Sequence, residues 1–217
     1  VGKGPPNMAV QTGEELLRLW RSTLVSLDLS ASYIQGQILF YRNHPAWWRA
    51  QIGALRSVLD QPLSYASNNV DTIDEGIRMG AIARPSEFTF GDKGLGSIPR
   101  RIPVMAQLNR AFEWFIFIGQ HEMYKAARGN VQAEKELVSL GSAIRKIMGS
   151  ESYAVLGVGR RQQAMESFAA FAPRFYRALF GTVGQAFTPG PGGDAARKAL
   201  GAMIAGATAI TVGAHYA

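Results

Sequence analysis

The 217-residue chain has no cysteine. That excludes disulfides, thiolate metal ligands and a cysteine nucleophile. Three histidines, His44, His121 and His215, leave little for a histidine-rich metal site. Charged residues make up 18%, against roughly 25% in an average soluble domain. Part of the surface is therefore expected to be covered by partners, by other parts of a longer chain, or by lipid. The first residues lack the charged-then-apolar pattern of a signal peptide. The chain opens Val1-Gly2-Lys3-Gly4 and stops in an apolar run ending His215-Tyr216-Ala217. It is thus expected to be an ordered piece of something longer, or a processed product.

Apolar residues, at 47%, are enough to build a core and speak against wholesale disorder. The net charge of +7 is unevenly placed. Residues 1–98 carry nine basic and nine acidic side chains, whereas residues 99–217 carry fourteen basic and seven acidic. The whole excess lies in the second half, and most of the basic residues are arginines, suited to bidentate phosphate contacts.

Helical periodicity runs almost throughout and predicts an all-α chain, an irregular array of about seven to eight helices. Thr12 and Glu15 form a capping-box signature ahead of Leu16, Leu17, Trp20 and Leu24. Ser30 can cap a second helix, with Tyr33, Ile34, Ile38 and Phe40 inward, that stops before Pro45. Pro45 suits the first turn of a third helix, with Trp48, Ile52, Leu55 and Leu59 inward and Pro62 as its end. Asp71 can cap a short helix holding Ile73 and Ile77 and ending near Gly80. Ser86–Ile98 reads as a loop, with Phe88–Phe90 as the only short extended candidate. A long helix is expected over Pro103–Arg128, stopped by Gly129. Asn130 can cap the next, with Leu137, Leu140, Ile144 and Ile147 inward and Gly149 at its end. Tyr153–Arg161 reads as a connector. Helix resumes near Gln162, and Pro173 kinks it or opens a new one. The expected organisation is a helical domain over 1–185, a Gly/Pro linker over 186–193, and an apolar helix over 194–217 capped by Asp194.

Catalytic and metal motifs are weak. Gly91 to Ser97 has phosphate-loop glycine spacing, but Ser97 replaces the lysine and no strand precedes it. His121-Glu122 fails as a zinc-protease motif because Lys125 stands where the second histidine belongs. Asp71, Asp74 and Glu75 could face one divalent ion, although acids in a first helical turn already suit the helix dipole. No Gly-x-Ser-x-Gly or Ser-x-x-Lys sequence occurs. No catalytic residue, metal or cofactor is expected.

The basic residues offer more. Arg100, Arg101, Arg160, Arg161, Arg174, Arg177, Arg197 and Lys198 lie at or near expected helix starts or connectors. Cations there oppose the dipole preference, and a bound phosphate, from nucleic acid or lipid, would offset the cost. Solvated arginines lying over apolar surface are the plainer account. The terminal run from Ala199 to Ala217 contains nineteen residues without a formal charge, roughly 28 Å of helix. Gly201, Ala205, Ala209 and Gly213 recur every four residues along it, a seam that allows close helix packing in a membrane or an assembly. A buried Ala-rich helix, diluted by Thr208 and Thr211, is the competing reading.

Ordered landmarks also carry a resemblance. Ser26-Leu27-Asp28-Leu29-Ser30-Ala31, Gln35-Gly36 and Arg42-Asn43-His44-Pro45 come first. Ile102-Pro103, Asn109-Arg110-Ala111-Phe112 and Gly157-Val158-Gly159-Arg160 follow. Phe171-Ala172-Pro173-Arg174-Phe175 and Asp194-Ala195-Ala196-Arg197-Lys198 complete the series. In this order the chain resembles the large polyvalent protein-associated domain of tailed bacteriophages and mobile elements, over roughly residues 23–205. It departs from that pattern at Ala172, where a serine is expected, and at the Gly157-Val158-Gly159 turn. The resemblance implies a non-enzymatic helical segment of an internal virion or ejection protein, packaged in the particle and delivered with the genome. Its place would be the virion interior, then the host envelope or cytoplasm. Its expected partners are copies of itself or other virion proteins, double-stranded DNA and host membrane. A structural scaffold with exposed Trp47, Trp48 and Phe117 is one alternative. A cell-wall hydrolase using Asp71, Asp74 or Glu75 is another.

Overall fold

The computed structural model describes residues 30–58, 63–83, 103–129, 131–150 and 173–216. These residues form eight α-helices and no strand, so the chain is all-α. In chain order they are α1 (Ser30–Arg42), α2 (His44–Val58), α3 (Leu63–Ser67), α4 (Val70–Arg78), α5 (Pro103–Arg128), α6 (Glu134–Ile147), α7 (Pro173–Ala186) and α8 (Pro191–Tyr216). The expected first helix, the Ser86–Ile98 loop and the 153–161 connector lie outside the described residues.

α5 is the axis. Phe112, Phe115, Ile116, Phe117, Ile118, Met123 and Tyr124 are all buried, so the helix is covered on more than one face. α2 lies along it most extensively, with α1, α4 and α6 on its other sides. Leu140, Ile144 and Ile147 of α6 join the core as the apolar spacing predicts, and Leu137 is also buried. Gly129 and Gly149 end α5 and α6 with φ of 44° and 65°, the left-handed geometry that glycine adopts without strain.

α2 turns a different face inward than the large-residue spacing predicts. Its buried positions are Ala46, Trp47, Ala50, Ala54 and Ser57, while Trp48, Ile52 and Leu55 are exposed. Close approach explains the reversal. Gly53 lies so near α5 that a methyl there would overlap Ile118 Cδ1, and only a small-residue face permits that. The helix starts where Asn43 caps it, its Oδ1 accepting from Ala46 N–H at 3.1 Å. Pro45 sits in the first turn, as expected. The start of α6 is later than predicted: Ala133, without a side-chain cap, precedes Glu134.

The expected linker at 186–193 is a tight corner instead. α7 runs to Ala186 and α8 begins at Pro191, an N-terminal position that proline favours. Gly192, Ala195, Ala196 and Ala199 are buried, and α8 packs on α1, α6 and α7. Pro189, Gly190 and Pro191 thus turn the chain without detaching its last helix. Asp194 lies within the first turn of α8 rather than capping it.

Candidate functional site

Two regions hold the side chains with chemical potential: the α7–α8 corner, which carries the predicted cations, and a buried polar cluster on α5.

At the corner, Arg197 is committed within the chain. Its NH1 donates to Ala186 O at 2.6 Å and Thr188 O at 3.1 Å, and its NH2 donates to Asp194 Oδ1. The guanidinium therefore satisfies the last carbonyl of α7, which lacks an intrahelical donor, and a second carbonyl in the corner beyond it. Lys198 beside it is exposed and has no ion pair among the described residues. Arg177 is half-buried and already engaged. Arg174 belongs to α7, but its side chain lies outside the described residues, as do Arg100, Arg101, Arg160 and Arg161. Of the eight cations, the side chains of Arg177, Arg197 and Lys198 are described, and Arg197 has a structural occupation.

The seam residues Gly201, Ala205, Ala209 and Gly213 are all exposed. Around Gly201 and Gly213 a methyl would meet open space. Along the outer run the glycine that packs closely is Gly206, against the ring of Tyr41 in α1, as Gly192 packs on Ser139 at the start of α8. No helix among the described residues is long and apolar enough to cross a membrane, because alanine, glycine and threonine dilute the run. α8 is packed at one end and exposed at the other.

The buried cluster was not legible as a site in the sequence. His121 has no exposed surface, and Glu122 is buried beside it. Tyr65 of α3 lies 2.6 Å from His121 Nδ1, and its hydroxyl donates to Glu122 Oε1 at 2.9 Å. Arg49 NH2 of α2 donates to Glu122 Oε2 at 2.7 Å. Thr72 Oγ1 of α4 lies 2.8 Å from His121 Nε2. Four helices meet on one histidine–glutamate pair.

Proton counting assigns the tautomer. A neutral imidazole has one N–H, and burial lowers the His121 pKa despite the opposing charge of Glu122. Tyr65 gives its proton to Glu122, so its oxygen accepts from Nδ1–H. Nε2 then accepts from the Thr72 hydroxyl. This leaves no carbonyl orphaned, because Asn69 O, the other acceptor near Thr72, already receives Ile73 N–H at 3.0 Å. Burial alone would raise the Glu122 carboxyl, but hydrogen bonds from Arg49 and Tyr65 outweigh it and hold the acid below its usual range. Burial and the neighbouring Glu122 charge push the Tyr65 phenol up.

Thr72, His121 and the Tyr65–Glu122 pair have the order of a nucleophile, base and orienting group. His121 nevertheless has no exposed face from which to meet a substrate. The cleft described among these residues opens at the other end of the cluster. It has a volume of about 260 Å³ and is lined by Arg49, Ile52, Gly53, Arg56, Ser64, Tyr65, Trp114 and Ile118.

The carboxylates weighed as a metal or hydrolase site do not converge. Glu75 accepts a two-pronged pair from Arg128, Nε to Oε2 at 2.5 Å and NH2 to Oε1 at 2.8 Å. That hydrogen bonding holds its carboxyl below the usual range. Asp71 and Asp74 point to solvent, and no group of three metal-ligating side chains occurs among the described residues.

No family model, curated protein or solved structure matches the chain, so the resemblance rests on its quoted residues alone.

Proposed function

We propose that the chain is a non-enzymatic assembly module of a larger particle, held there through the outer half of α8. The bacteriophage internal virion or ejection role is the setting that the sequence resemblance supplies. The observation that carries the reading is the state of α8. Every side chain from Ala207 to His215 is exposed, none has a formal charge, and Ile204, Ile210 and Val212 are 62%, 55% and 49% accessible. Exposed apolar surface gathered on one element marks an interaction face more often than an accident.

A second copy is the occupant with the best geometric support. The seam reads Gly201, Ala205, Ala209, Gly213, which is palindromic about Ala207. An antiparallel pair related by a two-fold axis would set glycine against glycine and alanine against alanine, without charge repulsion. Phe180, Val183 and Phe187 add a further exposed apolar stripe at α7. The scaffold signature expected at Trp47, Trp48 and Phe117 is reduced to Trp48, since the other two are buried.

Sedimentation of the 217-residue chain across a wide concentration range tests this reading. Self-association that is lost on Ile204→Ser with Ile210→Ser supports it, and a monomer at every concentration overturns it. Phosphate contact through the basic second half is the remaining part of the proposal. It predicts affinity for duplex DNA or anionic vesicles at low salt that weakens steeply as salt rises.

A further inference from the structure

We propose that the cleft between α2, α3 and α5 binds a small monocarboxylate carrying one aromatic ring or a branched aliphatic body. This inference is independent of the assembly reading. It rests on the cleft's size, its charge and the support behind its polar end.

Size comes first. An apolar cavity of roughly 150 Å³ accepts benzene. At about 260 Å³, the cleft has room for one ring and a carboxylate, but not for a nucleotide or a sugar chain. Its walls are apolar. Ile52, 46% accessible on a helix whose smaller residues face the core, contributes one. Trp114 contributes another, its ring set edge-on against Phe117 at 5.2 Å. Gly53 and Ile118 complete the apolar lining, with Ile118 Cδ1 in the place that a side chain at Gly53 would take.

Charge selects the ligand class. Two guanidinium groups, Arg49 and Arg56, line the cleft, and Ser64 adds a hydroxyl. Glu122 neutralises Arg49, whereas Arg56 has no acidic partner among the described residues. Among the described residues the local balance is one uncompensated positive charge, which matches a monoanion better than a dianionic phosphate. A guanidinium fork is also the donor geometry that fits a planar carboxylate.

The buried cluster acquires a purpose in this reading. Glu122 fixes Arg49, and Glu122 is itself fixed by Tyr65, whose oxygen is held by His121. These are positioning residues. They keep one guanidinium aimed along the cleft, so that less ordering is needed when an anion binds.

Calorimetric titration of the full chain at low ionic strength, with benzoate and its neutral isostere benzamide, tests the assignment. Saturable benzoate binding is expected, with benzamide weaker by about tenfold or more. Arg56→Gln should lower benzoate affinity to that of benzamide and leave benzamide unchanged. Ile52→Trp, which fills the cleft from its exposed edge, should abolish both, with an unchanged thermal melt showing that the fold persists. Equal affinities for the two probes, an unaffected Arg56→Gln variant, or no saturation below about 20 mM benzoate would overturn the proposal. Phenyl phosphate binding more tightly than benzoate would overturn the choice of a monocarboxylate.

Discussion

α5 and α8 are both 26 residues long, yet their fates diverge. α5 carries aromatic and branched residues around most of its circumference and is enclosed by α1, α2, α4 and α6. α8 is built largely from alanine, glycine and threonine, is packed through its first turns, and is exposed from Ala207 to His215. Helix length therefore does not determine burial in this chain. What does is the apolar area each residue can remove from water, about 25 cal/mol per Å². Alanine offers little, so the outer turns of α8 gain little from folding back onto the body.

The comparison can be broken most severely at Phe115, which is fully buried on α5. Phe115→Ala should cost about 3–5 kcal/mol of unfolding free energy in a denaturant titration, with no counterpart of that size on the outer half of α8. Next comes the polar cluster. Tyr65→Phe leaves the His121 Nδ1–H without its acceptor and removes a donor from Glu122. A loss of about 1–3 kcal/mol is expected, together with weaker coupling between Arg49 and Glu122 in a double-mutant cycle.

A smaller effect should appear with pH. Burial depresses the His121 pKa from its ordinary 6.5, so the unfolded chain binds the proton more readily than the folded one. The contribution of neutral His121 is complete above about pH 6.5 and declines as pH falls towards the depressed folded value. Below about 4.5, Glu122 and Glu75 act in the same direction, since both are held below their ordinary value in the folded state. Melting temperature should therefore drop in two acid stages, and His121→Asn should remove only the upper one. The smallest effect belongs to α8. Ile210→Ser should change stability by no more than about 0.5 kcal/mol, and a larger loss in dilute monomer would mean that the outer half packs on the body after all.

Much of the helical plan was legible in the sequence because it depends on local rules. Pro103 and Gly129 bracket α5, and the four-residue spacing of large apolar side chains on α6 marked its buried stripe. α2 defeated the same logic, since its packing is set by small residues whose importance emerges only when α5 lies alongside. The corner at 187–190 was mistaken for a linker because glycine and proline serve both flexible segments and tight turns. The polar cluster was hidden for a further reason. Tyr65, Thr72 and Arg49 lie 56, 49 and 73 residues from their partners on α5, beyond any window in which spacing is informative. One sequence signal was present: adjacent His121 and Glu122 in the middle of a long apolar helix, where an unpaired charge would be costly and a partner is required.

The contact between Gly206 and Tyr41 also has a mechanical meaning. It is the last glycine of α8 that packs on the body, and the nine residues from Ala207 to His215 beyond it are exposed over roughly 13 Å of helix. Load applied to that exposed stretch would reach the rest of the molecule as a torque about Tyr41, with the Arg197 anchor at the root resisting the twist. Proteolysis should follow the same gradient. Cleavage would fall first within the exposed stretch and slow at the notch where the glycine meets the tyrosine ring.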